Sequence, residues 1–206
     1  MDQYVPLIPG QDFHVFHRAV GSERLFVETD NYHYFLKRYT HYIVPFVHTL
    51  AYCLLPNHFH FVVRIKSEEE IADLYRKKFP FREWKTERAS QLLIKQWSNL
   101  MNSYAKSFNK KYNRKGSLFM DYLKRVPIET EAQFCGTIFY THTNPVHHEY
   151  CNSMSEWRFS SFNAYQQLSS STLLSQNLVL DYFDGIDQFK KYHEQPINLK
   201  NAVEVE

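Results

Sequence analysis

The most constraining stretch of this 206-residue chain is residues 54–65, Leu-Leu-Pro-Asn-His-Phe-His-Phe-Val-Val-Arg-Ile. Pro56-Asn57 predicts a tight turn, and the residues after it alternate as they do in a half-buried strand. Side chains two apart in a strand share a face, so the phenylalanines can seal a core while His58 and His60 lie together on the other face. Two imidazoles so placed can bind one metal ion or one phosphate, although an ordinary half-buried strand gives the same pattern.

The remaining sequence predicts an antiparallel sheet covered by helices. Strands are expected at residues 12–20, 46–55, 58–65 and 117–128, and helices at 31–44, 89–112 and 130–143. Only Pro56 and Asn57 separate the second strand from the third, which predicts a hairpin. Thr130 and Gln133 have the spacing of a capping box at the start of the last helix. This order of elements predicts the α+β class.

The basic residues are concentrated in one segment. The formal net charge is only +2, but residues 106–125 contain seven basic side chains and a single acid. The seven are Lys106, Lys110, Lys111, Arg114, Lys115, Lys124 and Arg125. Such a patch can contact a polyanion, and the aromatic content of 17% supplies rings on which bases can stack. A structural explanation also exists for part of it, because cations stabilise the carboxyl end of a helix.

Cysteine usage and hydropathy narrow the class of protein. The three cysteines, Cys53, Cys135 and Cys151, are scattered, which argues against a disulfide framework or a cysteine-based zinc site. This usage is typical of a reducing compartment. The N-terminus has no signal-peptide pattern, and no apolar stretch is long enough for a membrane span. We therefore expect a cytoplasmic protein without membrane contacts.

The helix predicted at 130–143 has a polar stripe. Its members Gln133, Thr137, Tyr140 and Asn144 step by four, three and four residues. A metal held by two imidazoles and an amide oxygen leaves positions open for phosphate oxygens, and a tyrosine one turn from that amide would lie beside the phosphate. Attack by the phenol would give a phosphotyrosyl intermediate and expel a sugar hydroxyl. A surface tyrosine without function would produce the same spacing.

Taken together, these residues resemble a known family. Leu55-Pro56-Asn57-His58-Phe59-His60 resembles the HUH motif (histidine, bulky hydrophobe, histidine) of single-tyrosine transposases. Tyr140-Thr-His-Thr-Asn144-Pro145-Val146 resembles their tyrosine helix. The most similar subgroup is the REP-associated tyrosine transposases, in which Y-x-x-x-N-P-V follows the histidine pair at a similar distance. The resemblance covers residues 12–166.

The resemblance implies a metal-dependent enzyme that cuts and rejoins DNA strands. Tyr140 would be the nucleophile, and His58, His60 and Asn144 would bind Mg²⁺ or Mn²⁺. The partner would be single-stranded or hairpin DNA, contacted by Arg64 and by the seven basic residues of the 106–125 segment. The fold would be a ferredoxin-like antiparallel sheet with helices packed on one face, plus a C-terminal extension.

The resemblance also divides the chain. Residues 1–168 would form the HUH tyrosine transposase-like domain, with an insertion at about 67–88, and residues 169–206 a linker and extension. One segment departs from the pattern. Relatives often have Gly-His-Leu-Phe/Trp-Gln-Gly-Arg-Phe where this chain has Gly116-Ser-Leu-Phe-Met-Asp-Tyr-Leu-Lys-Arg125. The acid in this run places the family's DNA contacts there in question.

Two other functions fit parts of the sequence. A protein that binds hairpin nucleic acid without cutting it would explain the altered basic run. A zinc hydrolase would use His58, His60 and one of His142, His147 or His148, but no acid stands where a general base is expected. The sequence leaves open whether the chain is a monomer or a homodimer. A DNA enzyme of this kind would be associated with the nucleoid.

Overall fold

A four-stranded antiparallel sheet forms the centre of the molecule. The computed structural model describes residues 5–167 and 173–196. The strands are β1 (Asp12–Arg18), β2 (Val47–Leu55), β3 (His58–Ile65) and β4 (Lys124–Ile128). They lie in the order β2-β3-β1-β4, and every neighbouring pair is antiparallel. This is the strand arrangement of a ferredoxin-like fold, so the predicted fold class is confirmed.

Two helices, α1 (Thr29–Tyr42) and α3 (Arg88–Lys111), cover one face of the sheet. Phe61 of β3 stacks on Tyr39 of α1 with 4.2 Å between ring centroids, and Trp97 of α3 lies 5.9 Å from each of them. All three rings are buried. Because side chains alternate along β3, burying its phenylalanines here turns His58 and His60 to the opposite face.

A second helical layer covers that opposite face, whereas the prediction had helices on one face only. It consists of α4 (Glu131–His147), α5 (Phe162–Gln167), α6 (Gln176–Leu180) and α7 (Ile186–His193). Leu50 and Val62 of the sheet share a buried cluster with Phe134 and Ile138 of α4 and with Phe189 of α7. The described part of the predicted C-terminal extension therefore packs on the domain. The predicted linker and extension at 169–206 lies partly outside the described residues.

A chain of buried hydrogen bonds ties α4 to α7. His193 Nδ1 lies 2.8 Å from the Phe189 carbonyl, His193 Nε2 lies 2.9 Å from His142 Nδ1, and His142 Nε2 lies 2.8 Å from Ser161 Oγ. Because a carbonyl only accepts, His193 donates from Nδ1 and accepts at Nε2. His142 then donates from Nδ1 and accepts the Ser161 hydroxyl. Both imidazoles are neutral in this arrangement.

Two element boundaries differ from the prediction by more than three residues. The strand expected at 117–128 begins only at Lys124, because the chain before it arches over the end of β1, with the Met120 N–H donating to the Arg18 carbonyl. The helix expected to end at 143 continues through Pro145 to His147. Proline lacks an N–H, so the Thr141 carbonyl loses its helical partner, but a single missing bond near the last turn does not end the helix.

The predicted insertion at about 67–88 contains one short helix, α2 (Glu68–Lys78). Ser67 caps it by accepting the Glu70 N–H, and Ile71 and Tyr75 are buried. Across the described ranges, none of the helices combines the length and the apolar character that crossing a bilayer demands.

Candidate active site

The two histidines of β3 lie side by side on the face that α4 covers. His58 is half-buried at the start of the strand, and His60 is only 1% exposed. Their ring centroids are 5.1 Å apart, with the ring planes nearly perpendicular. The period-two alternation seen in the sequence is the reason for this arrangement, since Phe59 between them points into the opposite core.

The helix α4 brings the predicted tyrosine and amide to the histidine pair. The Tyr140 ring packs edge-on against His60, with 5.6 Å between ring centroids. Asn144, one helical turn later, is fully buried and places Oδ1 3.2 Å from His58 Nε2. Four side chains from two segments about eighty residues apart therefore converge within one chain.

Local packing of α4 fixes this placement. The predicted capping box is present, with Thr130 Oγ1 accepting the Gln133 N–H at 3.2 Å and Gln133 Oε1 accepting the Thr130 N–H at 3.3 Å. Phe134 and Ile138 are buried in the core beneath the helix. Tyr140 and Asn144 are four residues apart on the helix that these contacts hold in place, so their side chains lie on one of its faces.

The hydrogen bonds around His58 suit a bound cation. Its Nδ1 lies 2.7 Å from Asn57 Oδ1, which can only accept, so His58 donates from Nδ1 and has a lone pair at Nε2. Asn144 Oδ1 lies 3.2 Å from this Nε2, so one cation could bind both atoms. Imidazole nitrogen with amide oxygen is a donor set that suits Mn²⁺ and accommodates Mg²⁺.

His60 is also in the state that metal binding requires. Burial, together with the neighbouring His14 and His58, holds the pKa of His60 well below its ordinary value. The imidazole is therefore neutral near pH 7 and has a lone pair for coordination. His58, His60 and Asn144 fit a divalent metal, which would complete its coordination with phosphate or water oxygens.

A site made of three histidines has less support. Within residues 5–167 and 173–196, no three His, Cys, Asp or Glu side chains are grouped so that they could hold a metal ion. His142 is committed to the hydrogen bonds with Ser161 and His193. His148 does lie near His58, with 4.7 Å between ring centroids. The geometry of the described chain therefore favours the amide of Asn144 over a third histidine.

The histidine pair opens onto a cleft of about 610 Å³. The cleft is lined by Phe16, His17, Arg18, Asn57, His58, His60, His148 and residues 120–125. Tyr122 and Met120 are 55% and 46% exposed, and burial in the cleft wall lowers the pKa of His17 to about 4. The wall therefore combines exposed apolar surface, the cations Arg18 and Lys124, and the acid Asp121.

The predicted DNA-contacting residues Lys124 and Arg125 belong to this cleft. Lys124 Nζ lies 5.5 Å from the centre of the Phe16 ring. Arg125 donates from Nε to the Val5 carbonyl and from Nη1 to the Leu123 carbonyl at 3.3 Å. These two side chains line the same cleft as His58 and His60.

The other predicted basic residues are farther from the cleft. Lys106 borders a second, smaller cavity beside α3, and Lys110 and Lys115 are exposed. Lys111 pairs with Glu28, and Arg114 pairs with Glu23 at 3.0 Å. The segment is therefore not one continuous patch of exposed cations.

Arg64 lies at the opposite end of β3 from His58. Its guanidinium donates two hydrogen bonds of 2.8 Å to the Asp12 carboxylate and a third, of 3.0 Å, to the Tyr182 hydroxyl. These bonds raise the pKa of Arg64 above its already high value. Through these bonds Arg64 of β3 is joined to β1 and to the C-terminal segment that contains Tyr182.

Sequence reasoning missed His14. Its Nε2 lies 2.9 Å from His60 Nδ1, and its ring is 5.9 Å from that of Tyr140. The available signal was the alternation of β1, which turns His14 and Phe16 to the face opposite Phe13 and Val15. The pairing of β1 with β3 was needed to place it beside His60.

Comparison with known proteins supports the fold. A scan against protein-family models gives no match, and a search of curated proteins gives none either. A search of solved structures gives a REP-associated tyrosine transposase bound to a REP hairpin, with a TM-score of 0.58 and 14% sequence identity. The match covers 84% of this chain and 90% of that chain. The protein thus has the fold of a REP-associated tyrosine transposase, a protein of the family that the sequence motifs resemble.

Proposed function

We propose that this protein is a single-strand DNA endonuclease and strand transferase of the HUH single-tyrosine transposase family, acting at hairpin-flanked sites. The observation that supports this most is the convergence of Tyr140 and Asn144 on His60 and His58, the two histidines that line the cleft. The fold shared with a REP-associated tyrosine transposase bound to a REP hairpin adds to it. Such an enzyme would work in the nucleoid.

In this proposal Tyr140 attacks the phosphorus of a phosphodiester in the cleft. The phenol gives up its proton, its oxygen bonds to phosphorus, and the bond to one sugar oxygen breaks, so that oxygen takes up a proton and leaves as a hydroxyl. Bound Mg²⁺ or Mn²⁺ would polarise the phosphate and shield its charge from the incoming phenolate. His58, His60 and Asn144 would hold the ion, and the packing of Tyr140 against His60 would keep the phenol beside it.

The covalent intermediate allows the strand to be rejoined. The phosphotyrosyl bond retains the energy of the original phosphodiester, so a second sugar hydroxyl can displace Tyr140 and restore a strand. Lys124 and Arg125, which line the cleft, would contact the DNA backbone. A homodimer is compatible with this mechanism but is not required by it.

The decisive experiment is an adduct assay with a hairpin-containing oligonucleotide and Mg²⁺ or Mn²⁺. The wild-type chain should form a covalent adduct that mass spectrometry maps to Tyr140, and Tyr140→Phe should abolish it. Tyr122→Phe is the matched control, because Tyr122 is an exposed phenol lining the same cleft. Tyr104 is unsuited to this role, because it is buried and donates to the Leu25 carbonyl. An adduct that persists in Tyr140→Phe and disappears in Tyr122→Phe would reassign the nucleophile.

A second candidate is a protein that holds hairpin nucleic acid without cutting it. Asp121 in the cleft wall favours it, since a carboxylate there repels a phosphate backbone. This candidate predicts salt-sensitive binding that needs no metal and yields no adduct in the same assay.

A further inference from the structure

His14 is a buried histidine that touches both a proposed metal ligand and the proposed nucleophile. It is 2% exposed and lies in the middle of β1. Its ring lies edge to edge with that of His60, with 5.1 Å between centroids and 17° between planes, and it meets the Tyr140 ring edge-on at 5.9 Å. Phe16 stacks against it at 4.8 Å. Contacts on several sides therefore hold this imidazole in one orientation.

The sheet register places His14 at this point. β1 and β3 pair so that His14 faces Val62 and Phe16 faces His60. His14 is thus the diagonal neighbour of His60, within reach of a ring nitrogen on the same face. The distance between His14 Nε2 and His60 Nδ1 is 2.9 Å, the length of a hydrogen bond.

This hydrogen bond determines which nitrogen of His60 has the hydrogen. A neutral imidazole has one N–H and one lone pair, and only the lone pair can bind a metal. If Nδ1 of His60 donates to His14 Nε2, the lone pair is at Nε2, on the edge of the ring away from His14. His60 is one of the residues that line the cleft. Asn57 acts on His58 in the same way, by accepting from its Nδ1.

We infer that His14 is a positioning residue, which fixes His60 in the Nδ1–H tautomer so that Nε2 can bind the divalent ion. This inference rests on the proposed function, since it concerns the same metal site. Outer hydrogen-bond partners of metal-binding histidines are usually carboxylates or carbonyls, and their removal typically weakens metal binding by about 10–100-fold. The His14 imidazole, by accepting the hydrogen bond from His60, would hold that histidine in one tautomer and orientation in the same way.

Three substitutions at one position separate this role from simple packing. His14→Phe keeps an aromatic ring but removes the acceptor. His14→Gln places an amide oxygen near the position of Nε2, whereas the amide of His14→Asn is too short to reach it. His48→Phe is the control, because His48 lies on β2 near the far end of the sheet and bonds only weakly, at 3.3 Å, to Ser175.

The first readout is the tautomer of His60 in the metal-free full-length protein, observed by long-range ¹H–¹⁵N NMR of the histidine rings. We expect the Nδ1–H form in wild type and in His14→Gln, and a shift toward the Nε2–H form in His14→Phe and His14→Asn. The second readout is Mn²⁺ affinity by calorimetry or electron paramagnetic resonance. It should fall about 10–100-fold in His14→Phe and His14→Asn and recover in His14→Gln.

An unchanged His60 tautomer and an unchanged Mn²⁺ affinity in correctly folded His14→Phe would overturn the inference. So would an equal loss in His48→Phe, because the effect would then be a general one of losing a histidine. The proposed function fails by a different result, namely Mn²⁺ binding by wild type without any DNA adduct. In that case the His60 tautomer and the Mn²⁺ affinity of the His14 variants would still test the role of His14, because neither measurement involves DNA.

Discussion

His193 makes the stability of the protein depend on pH in a defined window. It is 5% exposed, at the end of α7, and faces His142 across a 2.9 Å hydrogen bond within a shell of aromatic rings that includes Phe189 and Tyr192. Burial lowers its pKa from the ordinary value of 6.5 to about 4. Protonation would add a donor at Nε2, where the His142 N–H already points, so the folded state resists it.

The sign and size of the effect follow from linkage. The unfolded chain takes up this proton as the pH falls below about 6.5, while the folded chain does not until about pH 4. The buried neutral imidazole therefore contributes to the unfolding free energy in full above about pH 6.5, and this contribution is lost as the pH falls toward 4. The gap between the two pKa values corresponds to about 3 kcal/mol of unfolding free energy.

Urea denaturation of wild type and His193→Phe at several pH values between 4 and 8 measures this contribution of His193 to the unfolding free energy. Near pH 7 the variant should be less stable, because His142 loses its acceptor. As the pH falls to 4, the stability difference should shrink by about 3 kcal/mol. Tyr192→Phe, on the same helix, should change the pH dependence of the unfolding free energy very little, because a phenol does not titrate between pH 4 and 8. A difference between wild type and His193→Phe that stays constant from pH 7 to 4 would refute the reasoning.

Two further predictions concern the layer that holds the tyrosine and the wall of the cleft. Ile138→Ala should lower the unfolding free energy by about 2–5 kcal/mol in urea denaturation, because Ile138 is fully buried under α4 and its loss leaves a cavity. Asp121→Asn should tighten binding of a hairpin oligonucleotide by about fivefold at low salt, since removing one surface carboxylate is worth about 1 kcal/mol. Fluorescence anisotropy should show that this gain in affinity becomes smaller at high salt. If Asp121→Asn binds the oligonucleotide no more tightly than wild type, DNA does not run through this cleft.

The local parts of the site were predictable because they depend on spacing within one element. Alternation along β3 placed His58 and His60 on one face, and the i, i+4 spacing on α4 placed Tyr140 near Asn144. The capping box at Thr130 is equally local and is present as predicted. These features needed no knowledge of the rest of the chain.

The remaining features depend on tertiary contacts that spacing does not encode. His14 reaches His60 only through the pairing of β1 with β3, a register the sequence does not specify. Pro145 predicted the end of a helix, but the surrounding packing carries α4 one turn further. The start of β4 was misplaced for the same reason, because the preceding segment is held by the end of β1 rather than by strand pairing alone.

The packing of the Tyr140 ring against His60 within a single polypeptide has a consequence for stoichiometry. Under the proposed function, each copy possesses a complete set of reactive groups and needs no phenol donated by a neighbour. Mixing a Tyr140→Phe copy with a His58→Ala copy should then yield no DNA adduct, since neither molecule can lend the other its missing part. Restored activity in such a mixture would mean that two copies exchange their tyrosine helices.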